Sequence, residues 1–152
     1  MADTFLNEER IGLLIWQISN IWQSKLRKLL KYQNLSLNEY LIIETIFRLK
    51  SPSNSLSQNK IALNSCLDVS VVSINLSILE KKNLILRDFQ DKRTKKIILT
   101  KKGISLITSI INNITDEEII FFKKLGSESF NFTNSLKLLL GKKIRIKANK
   151  KK

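Results

Sequence analysis

The stretch LDVSVVSINLSILEKKNLILRDFQDKRTKKIILTKKG, which runs from Leu67 to Gly103, decides the fold of this chain. Its first half has helical spacing. Val72, Leu76 and Leu79 lie at i, i+4 and i+7, so their side chains share one face of a helix. We therefore expect a helix whose apolar face is buried and whose opposite face is open.

Both ends of this helix have suitable residues. Asp68 can cap the first turn, because a carboxylate can accept from the free N–H groups there, and Asn83 can end the helix because asparagine tolerates the left-handed conformation. The runs 84–87 and 95–99 are short and apolar-rich, and they flank a polar turn, which predicts a β-hairpin. A helix followed at once by a basic hairpin is the layout of a winged helix, in which the helix enters the major groove of DNA.

Three motifs in this stretch resemble the MarR family (multiple antibiotic resistance regulators) of winged helix-turn-helix transcription regulators. They are Leu-Glu-Lys-Lys-Asn-Leu at 79–84, Asp-Lys-Arg at 91–93 and Leu-Thr-Lys-Lys-Gly at 99–103. Their order and spacing follow the end of the recognition helix, the wing and the last strand of that family. The resemblance implies a mainly α fold with a small β-hairpin wing, in which a winged helix-turn-helix lobe joins a helical dimerisation region.

The charge balance favours a polyanionic partner. The 152 residues carry 27 Lys and Arg against 13 Asp and Glu, a net charge of +14. Nucleic acid is the first expectation and an anionic membrane surface the second. A genome rich in A·T codons would also enrich lysine, isoleucine and asparagine, and we attribute part of the charge to that bias. It does not explain the Asp-Lys-Arg wing.

Several functional classes are disfavoured. The chain has no histidine, which removes the usual general base and the commonest metal ligand, so we expect no enzyme, no metal site and no cofactor. No apolar run is long enough to cross a membrane, and the Met-Ala-Asp-Thr start lacks the basic residues of a signal peptide, so we expect a cytoplasmic protein that does not bind membranes. Cys66, the single cysteine, is either a redox sensor or a small buried residue that fills a turn.

The residues before the central stretch predict three helices. A wide apolar stripe predicts the first at Asn7–Tyr32. A capping box starts the second at Ser36, and Pro52 ends it near Lys50. Ser57 caps the third, at 58–65, and Leu56 is expected to add a short strand to the wing sheet.

The residues after the wing predict two more helices. One runs from about Gly103 to about Leu125, where Gly126 breaks it, and the last spans roughly 129–140. A basic tail follows from Lys142, and its end is expected to be disordered.

The first and last helices carry apolar stripes that need a cover. A second subunit is the expected one, since in the MarR family the terminal helices of two subunits interlock. We therefore divide the chain into a dimerisation region, 1–34 with 101–152, and a DNA-binding lobe, 35–100.

The candidate DNA-binding residues lie on the helix face opposite the core and on the wing: Ser70, Val71, Ser73, Ile74, Ser77, Lys81, Lys92, Arg93 and Lys95. By resemblance Arg93 enters a minor groove and Asp91 steadies the wing. The helix departs from the family, which usually has a basic residue at the position of Ile74 and commonly has an Asp-Arg pair where Ser77-Ile78 stand. Two interpretations follow. Either Val71, Ile74 and Ile78 pack on thymine methyl groups, or a diverged apolar face binds a protein.

The function that we expect is a homodimeric transcription regulator, repressor-like, that binds double-stranded DNA at an A·T-rich pseudo-palindromic operator. A small-molecule effector, not identified by any residue, is expected to bind between lobe and dimer core and release the DNA. The alternatives are a non-catalytic module that binds a protein partner, and a nucleoid-type DNA binder with little sequence preference.

Overall fold

The computed structural model describes residues 9–49, 56–91 and 94–146, and of residues 89–91 and 94–95 it describes the backbone alone. The described elements, in chain order, are α1 (Ile11–Lys31), α2 (Leu37–Arg48), α3 (Gln58–Ser65), α4 (Val69–Lys81), β1 (Ile85–Asp91), β2 (Thr94–Leu99), α5 (Lys101–Phe122), a 3-10 segment (Lys123–Glu128) and α6 (Ser129–Leu139). This order of helices with one hairpin confirms the predicted fold class.

The capping residues define the starts of α2 and α3. The Glu39 N–H donates to Ser36 Oγ at 3.2 Å, and the Ser36 N–H donates to Glu39 Oε2 at 3.3 Å, so the predicted capping box is present. The Lys60 N–H donates to Ser57 Oγ at 3.2 Å, which confirms Ser57 as the cap of α3. Helix α2 ends at Arg48, close to the predicted stop, whereas Pro52 lies outside the described residues.

The turn between α3 and α4 depends on backbone conformation. Cys66 has φ of 57°, in the left-handed region, which explains why glycine suits this position. Asn83 has φ of 58°, as its proposed role as a helix stop requires. Asp68 is the N-cap residue of α4, but the prediction that its carboxylate accepts a hydrogen bond is wrong. The side chain is exposed, so water can satisfy the first turn instead.

The two strands form an antiparallel hairpin in which Ile85 pairs with Leu99 and Arg87 pairs with Ile97. The register shifts between Phe89 and Asp91, so a bulge interrupts the ladder. Leu56 does not form the predicted third strand. Its carbonyl accepts a single hydrogen bond of 3.0 Å from the Ile97 N–H, which ties the hairpin to the residue before α3.

One core joins the winged lobe to α1 and to the first half of α5. Its fully buried side chains come from every helix up to α5 and from both strands: Leu30, Ile42, Ile43, Ile61, Val72, Leu76, Leu79, Ile85, Ile97 and Ile107. The three α4 residues in this list are those that the helical spacing assigns to the buried face, so that assignment is confirmed.

The terminal helices differ from prediction at their ends. Helix α1 begins at Ile11 rather than at Asn7, which lies outside the described residues. Helix α5 begins at Lys101 and continues through Thr115 to Phe122, and Gly126, with φ of 52°, separates it from α6. Past α6, Asn134 donates to the Arg145 carbonyl at 2.7 Å and accepts from its N–H at 3.1 Å. The tail is therefore held at Arg145, and its end lies outside the described residues.

The chain forms two compact units, Met1–Ile114 and Thr115–Lys152. The predicted division into lobe and dimerisation region depends on a second subunit and stays a prediction. Among the described residues no single helix is long and apolar enough to cross a membrane. The one pair that reaches the required composition together, Gln58–Ser65 with Val69–Lys81, is bent by 113°.

Candidate nucleic-acid interface

Helix α4 presents the open face that the sequence predicts. Val72, Leu76 and Leu79 are fully buried, while the residues on the opposite side are exposed: Ser70, Ile74, Ser77 and Lys81. The flanking residues Val71 and Ser73 are half-buried. The six helix residues proposed for DNA binding therefore lie on one side of α4, away from its buried stripe.

This side is apolar at its centre. Ile74 is 63% exposed, and Ile78, one turn further along, is partly exposed. Val69 at the start of α4 and Leu63 in α3 are also exposed. Ile74 and Ile78, which lie one turn apart on the same face of α4, are called the apolar patch below. Exposed apolar side chains in such a group indicate a partner surface rather than an ordinary solvated face.

The polar groups on α4 are largely engaged within the protein. Asn75 is buried, and its Nδ2 donates to the Val71 carbonyl at 2.8 Å. Ser77 Oγ donates to the Ser73 carbonyl at 3.3 Å and accepts from Arg87 Nη2 at 3.1 Å. Among the described residues, the hydroxyls of Ser70 and Ser73 have no hydrogen-bond partner of their own. These two hydroxyls and Lys81 are the polar groups of this face that remain free to bind DNA.

Arg87 connects the wing to the recognition helix. It lies on β1, its side chain is 14% exposed, and Nε lies 3.4 Å from Glu80 Oε2. That distance is an ion-pair distance, although Nε makes no hydrogen bond in the described part of the chain. Together with the bond to Ser77, this pair fixes β1 against α4 and neutralises Glu80, the one acid of that helix.

The wing residues proposed for DNA binding are only partly placed. Lys92 and Arg93 lie outside the described residues, and the side chains of Asp91 and Lys95 are not described either. The backbone shows that Asp91 ends β1 and pairs with Thr94. Their roles on DNA therefore stay predictions.

Two of the three motifs that carry the family resemblance meet in space. Thr100 Oγ1 donates to the Asn83 carbonyl at 2.7 Å and accepts from the Gly103 N–H at 3.0 Å. The Thr100 N–H donates to the Leu84 carbonyl at 3.0 Å. The threonine thus caps α5 and holds the end of the recognition-helix motif, so the helix is anchored at its C-terminal end.

A buried ion pair anchors the same end from the other side. Lys82 Nζ lies 2.7 Å from Glu39 Oε2, and it also donates to the Asn34 carbonyl at 2.7 Å. The Glu39 side chain is 7% exposed. Because Glu39 also belongs to the capping box of α2, this single carboxylate joins the start of α2 to the end of α4.

Cys66 lies at the C-terminal end of α3 and is exposed. The interpretation of Cys66 as a small buried residue is therefore wrong, because its side chain lies in solvent. Its redox role is untested. Among the described residues, no group of three or more histidine, cysteine or acidic side chains could hold a metal ion.

Sequence reasoning missed the roles of Arg87 and Asn75. Helical periodicity relates residues within one helix, whereas Arg87 reaches α4 from a strand ten residues after Ser77. Asn75 flanks the buried stripe, which is the signal that would have identified its inward position.

Comparison with known proteins places this architecture among transcription regulators. No family model matches the chain. An uncharacterized HTH-type transcriptional regulator of Bacillus subtilis, YdcH, is 28% identical over 131 residues, which cover 85% of this chain and 88% of YdcH.

Solved structures of transcription regulators have folds similar to that of this chain. The Staphylococcus aureus MepR–DNA complex superposes with a TM-score of 0.75 at 26% identity, covering 89% of this chain and 97% of that one. A MarR family regulator from Rhodococcus sp. RHA1 has a TM-score of 0.78 and a sequence identity of 18%, over 91% of this chain and 97% of that one. CouR from Rhodococcus jostii RHA1, bound to p-coumaroyl-CoA, has a TM-score of 0.76 and an identity of 19%, with the same coverage of both chains.

These comparisons confirm the resemblance to MarR regulators that the three motifs indicate. The similar proteins are transcription regulators, which agrees with the expectation of a protein that is not an enzyme. The 28% identical relative is a transcriptional regulator, and the fold of this chain is similar to that of MarR family regulators.

Proposed function

We propose that this chain is a homodimeric, repressor-like transcription regulator that binds an A·T-rich pseudo-palindromic operator in double-stranded DNA. The observation that carries the proposal is the exposed face of α4, which lies opposite a fully buried stripe and beside a basic hairpin. The net charge of +14 suits a polyanion. Direct support for DNA as the partner comes from the similar MepR, whose structure is a DNA complex.

On DNA, the two α4 helices of a dimer would enter successive major grooves about one helical turn apart. Lys81 is exposed at the C-terminal end of α4, and we propose that it neutralises a phosphate. Lys92 and Lys95 are proposed to contact the backbone, and Arg93 to enter a minor groove. Because two-fold symmetry relates the lobes, the operator would be pseudo-palindromic.

The support for a dimer comes from exposed apolar surface on each of the two units. Helix α1 exposes an apolar stripe that water would not cover favourably: Ile11, Leu14, Ile15, Trp16, Ile18 and Ile21. The second unit holds an open groove of about 630 Å³, whose apolar lining includes Ile119, Phe122, Phe132 and Leu136. A second copy of the chain is the occupant that we propose for both surfaces.

The proposed regulator releases its DNA when a small molecule binds. The similar CouR was solved with p-coumaroyl-CoA, so a regulator of this fold can hold an organic ligand. A ligand would release DNA by favouring a lobe separation that no longer matches two successive grooves.

The experiment is a salt-dependent gel shift with the full chain. The probes are a duplex selected from a random library and a scrambled duplex of the same composition. We expect tight binding to the selected duplex, weak binding to the scrambled one, and affinity that falls steeply with salt. Equal affinity for both would favour the nucleoid-type binder. Binding to neither would favour the protein-binding module, for which the exposed apolar patch is the specific evidence.

A further inference from the structure

We infer that Ile74 reads the operator by packing on thymine methyl groups in the major groove, so that the protein distinguishes thymine from uracil. This inference rests on the proposed function and names how its recognition helix selects sequence. It concerns one side chain, Ile74, and one chemical group, the C5 methyl of thymine.

The centre of the exposed face of α4 lacks the side chains that read bases in the major groove with two hydrogen bonds. Arginine reads guanine, and asparagine or glutamine reads adenine, with two hydrogen bonds each. Helix α4 contains no arginine and no glutamine. Its one asparagine, Asn75, is buried and bonded to the Val71 carbonyl. Lysine can also read guanine, but the one lysine of α4, Lys81, is the last residue of the helix. The centre of this face therefore has no side chain that recognises a base with two hydrogen bonds.

The serines on the exposed face of α4 offer little discrimination between bases. Ser77 lies on the exposed face, but its hydroxyl is held by Arg87 at 3.1 Å and bonded to the Ser73 carbonyl. The hydroxyls of Ser70 and Ser73 can each make single hydrogen bonds, which either a base or a phosphate satisfies. Serine contacts of this kind discriminate bases poorly, so the apolar side chain at the centre of the face must supply much of the selectivity.

Ile74 occupies the position on α4 that would meet the bases. It projects from the middle of the face opposite the buried stripe and is 63% exposed, with Ile78 exposed one turn along and Val71 half-buried beside it. When α4 lies in the major groove, the residues of this face meet base edges. The apolar group that a major groove offers there is the thymine methyl.

Charge decides between DNA and an apolar protein surface as the occupant. Glu80 would repel phosphates, but Arg87 lies 3.4 Å from it and neutralises it. Lys81 is exposed on the same face as Ile74, and the hairpin beside it carries Lys92, Arg93, Lys95 and Lys96. A purely apolar partner would supply no anion to Lys81 or to the basic sequence of the hairpin, whereas a nucleic acid can bind the apolar and the basic groups together.

The full chain is first used to select a duplex from a random library. Its affinity for three versions of that duplex is then compared. One contains thymine, one contains uracil at the recognised positions, and one carries 5-methylcytosine in place of a cytosine next to them. Uracil removes only the methyl group, so the change isolates this contact. We expect wild-type affinity to fall about fourfold per methyl removed, the factor that follows from burying one methylene. The 5-methylcytosine duplex measures whether an added methyl increases affinity.

Variants assign the effect to Ile74. Ile74→Ser is expected to weaken binding to the thymine duplex and to abolish the thymine–uracil difference, while Ile74→Val retains part of it. Ile144→Ser changes an isoleucine that is also exposed but lies beyond α6, and it should leave the difference intact. Thermal unfolding should be unchanged in all three, because the substituted side chains are not part of the core.

The outcomes separate the two proposals. Tight, selective DNA binding with no difference between thymine and uracil overturns the inference and leaves the proposed regulator standing. A difference that survives Ile74→Ser overturns the assignment to Ile74. If no duplex binds the wild type, the proposed function fails and the inference fails with it, and a protein partner becomes the better account of the apolar patch.

Discussion

Gly103 and Leu84 lie so close together that a Cβ atom on Gly103 would overlap the Leu84 carbonyl oxygen. The same hypothetical atom would lie 3.4 Å from Leu99 Cδ2. The glycine of the Leu-Thr-Lys-Lys-Gly motif is therefore required by the approach of α5 to the end of the recognition-helix motif. The motif at 79–84 and the motif at 99–103, which both resemble the MarR family, therefore meet in one close backbone contact.

Gly103→Ala is expected to lower the free energy of unfolding by about 1–3 kcal/mol, the usual range for overpacking a tight site. The methyl group would push α5 away from Leu84 and disturb the bonds of Thr100. Urea unfolding followed by circular dichroism measures the change. Gly12→Ala is the matched control, because Gly12 lies on α1 with no neighbouring atom within 4 Å. It should be neutral or slightly stabilising, and equal effects at the two glycines would contradict the packing argument.

Lys82→Met is expected to destabilise the fold by about 1–3 kcal/mol, since it leaves the buried Glu39 carboxylate without its cation. The control is Arg48→Met, which removes a cation from the exposed pair with Glu44, 3.6 Å apart. That change should have an effect of about 0.5 kcal/mol or less. Chemical unfolding of both variants at one salt concentration gives the comparison, and a larger effect at Arg48 would refute the ranking.

Arg87→Ala is expected to weaken operator binding about tenfold or more, because it frees β1 from α4 and leaves Glu80 unneutralised toward the phosphates. Restoring neutrality with Glu80→Gln in the same chain should recover part of the affinity. Fluorescence anisotropy with the selected duplex measures both variants. Arg10→Ala makes the same change in net charge outside the lobe and serves as the control. No recovery in the double variant would show that charge is not the cause.

Arg93→Ala is expected to weaken DNA binding by about 1–3 kcal/mol if the side chain enters a minor groove, and by less if it touches a single phosphate. A minor-groove contact should affect the selected duplex more than a scrambled one. Lys31→Ala, an exposed charge at the end of α1, is the comparison variant for the loss of one charge. An unchanged affinity at moderate salt would remove Arg93 from the interface.

Light scattering of the purified protein is expected to give twice the chain mass of 17.6 kDa. Ile18→Lys places a charge in the exposed α1 stripe, and it should shift the equilibrium toward monomer because the charge would be buried at the interface. Lys28→Ile, on the same helix, changes charge without entering the stripe and should leave the mass unchanged. A wild type that stays monomeric at micromolar concentration would contradict the dimer.

Local signals predict most of this fold. The capping box at Ser36, the cap at Ser57, the stop at Asn83 and the break at Gly126 all depend on residues near in sequence, and the structure bears them out. The buried stripe of α4 follows from helical periodicity alone. These features need no knowledge of the rest of the chain.

The features that sequence reasoning did not predict depend on residues far apart in the chain. Leu56 has one hydrogen bond to Ile97 rather than a strand, since pairing depends on where the neighbouring backbone lies. The Lys82–Glu39 pair joins residues 43 positions apart, and no periodicity relates them. The Arg87–Ser77 bond decides which serines remain available for DNA, so the composition of the site depends on tertiary contacts as well as on the face of α4.

Because Cys66 is exposed, its thiol can carry a spectroscopic label that measures a distance within the proposed dimer. It is the only thiol in the sequence, and it lies at the turn between α3 and α4, held by a left-handed backbone at the base of the recognition helix. In the proposed dimer each lobe would carry one such thiol, so a nitroxide attached there would report the separation of the lobes without any engineered cysteine. Double electron–electron resonance would then measure the distance between the two labels, and so the separation of the lobes, as DNA or a small molecule is added.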